Sequence, residues 1–333
     1  MSYFERLPWH AYPWELLQRA KQKNHLPHAL LFLGVPGLGR KNLSVAFAHS
    51  VLCQNSNLQG DPCADCQNCH LIRAHSHPDL ILIEPEEKGL VIKVDQIREI
   101  VYEVNTTPLV GHARIIIINP AHAMNSAAAN ALLKTLEEPP PHTMIILITD
   151  LSQRMPATIL SRCQKITFPK PDQTSALDWL LLQHPTVNSS DLLVLLHFSQ
   201  QAPLLVRDWL KEGTLLPLRK KLYDGLMALS QKTINPLQLA AQCEGEDLIL
   251  ILKCLLYWLQ DLLRCQLTDY SASLINTDYV DQYKKLKVGL KRILRYLTVV
   301  EERFIKITFL QNLNRQLLLE EVLIGWTECY DVS

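Results

Sequence analysis

The chain has 333 residues, 48% apolar and 20% charged, and its 33 Lys plus Arg balance 33 Asp plus Glu, so the formal net charge is 0. At roughly 150 residues per domain that length predicts about two domains, with three in range, each able to bury a sizeable core. The composition excludes a disordered chain and a protein that coats nucleic acid by overall positive charge, and it leaves room for a local basic face.

The stretch Met1-Ser2-Tyr3-Phe4-Glu5-Arg6-Leu7-Pro8 has no basic region followed by an unbroken apolar run, so no secretion signal is expected. The most apolar long segment, Leu248 to Leu263, carries Lys253, Gln260 and Asp261 and reads as a buried helix, not a membrane span. A cytoplasmic protein without membrane contact is the expectation. Of the nine cysteines, Cys53, Cys63, Cys66 and Cys69 cluster, which favours metal binding over disulfides in a reducing compartment.

Helical spacing of Trp14, Leu16, Leu17 and Ala20 predicts a helix to Gln22, followed by a buried strand over Ala29-Leu30-Leu31-Phe32-Leu33. A glycine-rich turn from Gly34 to Gly39 then opens a helix bearing Leu43, Val45, Ala46 and Ala48. Past the cysteines, Leu80 to Ile83 predicts a second strand and Asp95 caps a helix from Gln96 to Asn105. Arg114 to Ile118 is a third strand, unbroken and β-branched as in strands buried on both faces. A helix from Ser126 to Glu138 stops at Pro139-Pro140-Pro141, and Met144 to Thr149 is a fourth strand. A short helix from Pro156 to Ser161 and a small strand at Ile166-Thr167-Phe168 complete an alternating β/α region, which implies a parallel sheet with helices on both faces. Pro169, Pro171 and Asp172 read as a linker, and the remaining residues as a helical half punctuated by Gly213, Pro217, Asn235-Pro236 and Gly245.

The turn Gly34-Val35-Pro36-Gly37-Leu38-Gly39 lies between a strand and a helix, the context of a phosphate loop whose backbone N–H groups and helix end face an anion. The template G-x-x-x-x-G-K-[ST] needs lysine on the phosphates and a hydroxyl on Mg²⁺, but those places hold Arg40 and Lys41. Lys41 does not substitute by slipping one residue, because successive helical side chains point about 100° apart. The acidic pair expected after a strand is also missing, since Ile118 is followed by Asn119-Pro120. These losses predict a nucleotide scaffold that does not hydrolyse, with residual binding through backbone amides and Arg40 left open.

Cys53, Cys63, Cys66 and Cys69 have the spacing C-x9-C-x2-C-x2-C within a polar loop that could not bury a core unaided. Four soft thiolates suit a closed, structural tetrahedral zinc site that folds the loop. An iron–sulfur cluster is the rival, but the ferredoxin run continues x3-C-P where this chain has Arg73-Ala74. His70, His75 and His77 are nearby alternates.

Taken alone, Arg162 in Ser161-Arg162-Cys163 reads as a surface ion-pair residue. With the segments Pro27-His28-Ala29-Leu30-Leu31-Phe32 and Gly34 to Gly39, the four cysteines, and the run Ala127 to Pro140 containing Leu132-Leu133-Lys134-Thr135-Leu136-Glu137-Glu138, however, the sequence resembles the delta-prime type of bacterial clamp-loader subunit, in the AAA+ superfamily. The likeness is dense to about residue 170 and thin beyond, where Asn314 to Glu320 carries it.

The resemblance implies an α/β AAA+ P-loop core over residues 1–168 with an inserted Cys₄ zinc module at about 53–70. A small helical lid over 169–207 and an all-α, oligomerising collar over 208–333 would follow. It also implies that Arg162 reaches the γ-phosphate of ATP on an adjacent motor subunit as an arginine finger, a role suited to a planar, always-charged guanidinium. The implied partners are the gamma/tau motor subunits and the clamp-opening delta subunit, with the sliding clamp and primer-template DNA met through the complex. Arg40, Lys41 and Asn119-Pro120 separate this chain from the motor subunits. A motor that tolerates Arg40 is the alternative, and a zinc-stabilised DNA-binding module is a further rival that the zero net charge disfavours. The basic stretch Lys284, Lys285, Lys287, Lys291, Arg292 and Arg295 has no aromatic stacking partners and reads as a solvated helix face before a DNA contact.

Overall fold

The computed structural model describes residues 6–86, 91–104, 106–110, 112–267, 274–286, 288–309 and 314–330. They divide into two compact units, Met1–Ser175 and Ala176–Ser333.

The first unit is built on five parallel strands: β1 (Ala29–Leu33), β2 (Leu80–Ile83), β3 (Arg114–Ile118), β4 (Thr143–Thr149) and β5 (Gln164–Thr167). Their order is β2-β3-β4-β1-β5, with Leu31 opposite Leu147 on one side and Lys165 on the other. Every residue of β3 and β4 is buried, as the unbroken Ile-rich runs require when both sheet faces are covered. On one face Leu31, Ile116, Ile118, Ile145 and Leu147 pack with Ile97 and Ile100 of α4 (Val94–Glu103) and with Leu132 and Leu136 of α5 (Ser126–Glu137). Alternation turns Leu30, Phe32, Ile117 and Ile146 to the other face. There α2 (Arg40–Leu52) lies against β3 and β4, with Leu43 and Phe47 fully buried, and α1 (Ala11–Gln22) packs on α2. Each such side chain contributes about 1.5–3 kcal/mol. This is the expected fold class: a parallel α/β unit with a cysteine cluster inserted after α2 and an all-helical remainder.

Several boundaries differ from the sequence expectations. The cysteine segment contains a helix, α3 (Gln67–Arg73), on which Asn68, Cys69 and Ile72 are buried, a spacing too short to register as periodic. Lys93, not Asp95, precedes the helix start; its N–H donates to Gln96 Oε1 at 3.0 Å, and Asp95 lies in the first turn, where a carboxylate complements the helix dipole. Asn105 lies outside the described residues. The last strand starts two residues earlier than expected, and Phe168 follows it, with its N–H on Leu33 O at 2.8 Å and its ring 5.1 Å from that of Phe32. Between β4 and β5 runs α6 (Ala157–Leu160).

In the second unit every regular element is helical among the described residues: α7 (Gln173–Gln183, which begins just before the division), α8 (Ser189–Phe198), α9 (Pro203–Glu212), α10 (Leu215–Ser230), α11 (Pro236–Gln242), α12 (Leu248–Leu267), α13 (Val280–Lys285), α14 (Leu290–Phe309) and α15 (Arg315–Tyr330). Pro217 sits in the first turn of α10, where a missing N–H breaks no helical bond, so it starts a helix instead of ending one. Gly213, at φ 64°, ends α9. Residue 207, the expected end of the lid, falls inside α9. The core is aromatic, with the rings of Trp258 and Trp326 4.9 Å apart and edge-on, and those of Tyr223 and Tyr279 likewise at 4.9 Å. Lys284 and Lys285 lie on α13, Lys291, Arg292 and Arg295 on α14, and Lys287 outside the described residues. No helix among the described residues is long and apolar enough to cross a membrane.

Asp261, the charge that interrupts the apolar run of α12, is fully buried. Its carboxylate accepts from Asn276 N and Nδ2, both at 2.7 Å, and from Ile275 N at 3.1 Å, while Asn276 Oδ1 accepts from Arg219 Nε at 2.8 Å. It therefore fastens the chain after α12 back onto α10 and α12. Asp261→Ala strips several buried donors of their acceptor and is expected to cost the helical unit about 3 kcal/mol. A urea midpoint unchanged from the parent would contradict this.

Candidate functional site

Gly34 to Gly39 leaves the carboxyl end of β1 and enters α2, as a phosphate loop should. Gly39 has φ 75°, and a Cβ there would lie 2.6 Å from Leu7 Cδ1 and 3.0 Å from the His10 ring, so glycine is required for its backbone and for its neighbours. Gly37 is also left-handed, at φ 81°. A Cβ on Gly34 would meet Phe168 Cβ at 3.2 Å. The loop is thus flanked by Phe168 and by the segment Leu7–His10, which the sequence reading did not connect with it. Trp9 Nε1 and His10 Nε2 both donate to Leu38 O, at 3.0 and 2.7 Å. Leu7 N–H donates to His10 Nδ1 at 3.2 Å, which leaves the ring proton on Nε2 and makes His10 a neutral donor.

Arg40, at the place of the phosphate-binding lysine, is buried and donates to Thr149 O at the end of β4. Burial lowers its pKa, with Asp150 nearby acting in the opposite sense. Lys41 stands where a hydroxyl would hold Mg²⁺, and its Nζ pairs with Glu84 Oε2 at 2.6 Å. The other oxygen, Glu84 Oε1, accepts from Asn119 Nδ2 at 3.0 Å. A carboxylate therefore does reach this edge of the sheet. It comes from the end of β2, not β3, where the sequence offered only Asn119-Pro120. At the end of β4, His122 Nδ1 lies 3.0 Å from Thr149 Oγ1 and 3.2 Å from Asp150 Oδ1. Arg40 and Lys41 thus stand at the template positions of the lysine and the hydroxyl, and each makes its contact within the chain.

Cys53 at the end of α2, Cys63, Cys66 before α3 and Cys69 on α3 converge, all four sulfurs lying within 4.8 Å of one another. The Sγ–Sγ separations are 3.5 Å for Cys53–Cys63, 3.8 Å for Cys63–Cys69, 3.5 Å for Cys66–Cys69 and 3.6 Å for Cys53–Cys69. A tetrahedral ion with Zn–S bonds of about 2.3 Å needs sulfurs about 3.8 Å apart, so the residues fit the ion that their spacing suggested. Cys63 N donates to Cys53 Sγ at 3.2 Å and Cys66 N to Cys63 Sγ at 3.4 Å, as suits thiolates. Backbone N–H groups of Asp65 and Cys66 lower the Cys63 pKa to about 6. His70 is not needed as a ligand: its Nδ1 lies 3.2 Å from Arg73 Nη2.

Arg162 follows α6, where Nη1 donates to Thr158 O at 2.8 Å and Nη2 pairs with Glu137 Oε1 at 2.6 Å. About one third of the side chain is exposed. These contacts lie on α5 and α6, not on the loop, so the structure does not join Arg162 to its own chain's Gly34, Gly37, Gly39 and Arg40.

Burial lowers the His10 pKa from the ordinary 6.5 to about 4, and that of His49 on α2 likewise to about 4. The unfolded chain then binds more protons between these values, so the stability of the first unit is complete above pH 6.5 and falls as pH drops toward 4, by about 3 kcal/mol for the buried His10 ring. His10→Phe should be less stable at pH 7 and show a shallower decline of melting temperature over that window. An unaltered slope would contradict the neutral-donor assignment.

Comparison with known proteins agrees with this layout. Residues 9–172 match the family described as DNA polymerase III, delta subunit, and residues 214–328 match its C-terminal family, DNA polymerase III, delta subunit, C terminal. The chain is 34% identical over 319 residues to DNA polymerase III subunit delta' of Pseudomonas aeruginosa, covering 95% of this chain and 97% of that one. It is 30% identical to the Yersinia pestis subunit delta' over 333 residues, covering 96% and 94%. The chain is also 35% identical over 158 residues to DNA polymerase III subunit tau/gamma of Haemophilus influenzae, covering 47% of this chain and 22% of that protein. With family matches in both units and alignment along nearly the full length of the two delta' relatives, the chain belongs to the delta' subunits of DNA polymerase III.

Proposed function

We propose that this chain is a non-hydrolysing subunit of a clamp loader, which completes the ATP site of a neighbouring motor subunit with Arg162. The observation that carries the reading is the pairing of Lys41 with Glu84 and of Arg40 with Thr149 O at the loop. A Mg²⁺ ion placed there would meet an ammonium, and the one carboxylate that β2 or β3 delivers is held by Lys41 and Asn119. The tau/gamma likeness favours a motor reading for the scaffold, but the chemistry of positions 40, 41 and 119 does not.

Arg162 has what a trans-acting finger needs: a fixed charge, a planar fork and a partly exposed position. The motor subunits of gamma/tau type and the clamp-opening delta subunit are its partners in this reading, with clamp and primed DNA engaged by the assembled complex. The second unit then divides into a lid of α7 to α9 and a collar of α10 to α15 that joins the ring. The cysteine site holds zinc, which ties α2 to α3 and takes no part in hydrolysis. A cytoplasmic location follows from the replication role.

In the reconstituted complex, Arg162→Ala should leave assembly intact while the adjoining site loses on the order of 10³-fold in turnover; unchanged turnover would remove the finger assignment. Elemental analysis of the purified chain should find about one zinc per chain, and chelation should lower the melting temperature of the first unit. A metal-free chain with an undisturbed melt would contradict the zinc site.

A further inference from the structure

The contact between Arg162 and Glu137 has no place in the fold's core, and it lies away from both the phosphate loop and the cysteine cluster. Glu137 is the last residue of α5, and its position is fixed from three sides. Leu132 and Leu136 bury the helix in the sheet core, His28 Nε2 donates to Leu136 O at 3.1 Å, and Pro139 and Pro140 end the helix immediately afterwards. Arg162 stands on a separate element, where Nη1 is anchored to Thr158 O at 2.8 Å and Nη2 to Glu137 Oε1 at 2.6 Å. One terminal nitrogen is therefore held by α6 and the other by α5, which fixes both the position and the plane of the fork. A guanidinium carries five N–H donors; Nη1 also reaches Ser161 Oγ at 3.4 Å, so of the two terminal nitrogens it is Nη2, beside Glu137, that retains a donor for a further acceptor.

We infer that Glu137 is a positioning residue for Arg162, holding its guanidinium in the orientation from which it meets a phosphate oxygen on the adjacent subunit. The inference rests on the trans-acting reading of Arg162. Glu137 itself touches no phosphate; it acts by removing rotamer freedom from a long side chain before the neighbour arrives. Its own side chain is half exposed, so the pair is screened and exchangeable, strong enough to bias the fork and weak enough to release a nitrogen to phosphate. An arginine with no such partner would sample many rotamers, and only a fraction of complexes would have the fork aligned.

The test is a double-mutant cycle in the reconstituted complex, reading kcat and KM for ATP. Glu137→Ala should reduce kcat at the adjoining site by about three- to tenfold with KM and assembly unchanged, and Glu137→Gln, which keeps an acceptor, should lie between it and the parent. In the Arg162→Ala background, Glu137→Ala should have no further effect. Parent-like kcat in Glu137→Ala would overturn the inference while leaving the finger reading intact, provided that Arg162→Ala alone lowers turnover. An equal loss in both backgrounds would also overturn it, because a merely structural role does not depend on Arg162. Unchanged turnover in Arg162→Ala would defeat the underlying reading and this inference together.

Discussion

A parallel sheet delivers the carboxyl ends of all its strands to one edge, and the glycine loop and the residues that contact Arg40 and Lys41 are arranged along that edge. Glu84 follows β2, Asn119 follows β3, Thr149 ends β4 and the loop from Gly34 follows β1. The order β2-β3-β4-β1-β5 sets these groups beside one another although they are distant in sequence. Where this chain departs from the phosphate-loop template is therefore not in its architecture but in the charges placed on that edge. Two cations on the first turn of α2 have their partners at the carboxyl ends of strands of the same sheet: Lys41 pairs with the Glu84 carboxylate that follows β2, and Arg40 donates to the Thr149 carbonyl that ends β4.

Much of this was legible in the sequence. The Ile-rich strands, the glycine turn and the four-cysteine spacing each rest on a local pattern, and local patterns survive folding. The departures at Arg40, Lys41 and Asn119 were equally readable, because a template position either holds the required residue or it does not. What the sequence could not show depends on strand order. Glu84 had no signal as a site residue until β2 was placed beside β3, and the clasp of Trp9 and His10 on Leu38 O joins residues 28 or 29 positions apart with no motif to mark them. Helix α3 went unread because its seven residues span barely two turns.

The two other features of the first unit are independent of the loop. The cysteine cluster is made by the end of α2 and by α3, with sulfur separations that already suit a tetrahedral ion, and it gives structure to a polar segment that lacks an apolar core. Arg162, by contrast, follows α6, is about one third exposed and pairs with Glu137 at the end of α5. The proposed service to a neighbour's nucleotide rests on this pair of features, a partly exposed Arg162 and a loop whose Arg40 and Lys41 make contacts within the chain.

The most direct test of that account is steady-state Mg²⁺-dependent ATP hydrolysis by the isolated chain, measured with enough protein to detect a turnover well below that of an ordinary motor. No turnover above the buffer rate is expected. Turnover that requires Mg²⁺ and disappears in an Arg40→Ala variant would contradict the account, for it would show that Arg40 does at the loop what lysine does elsewhere.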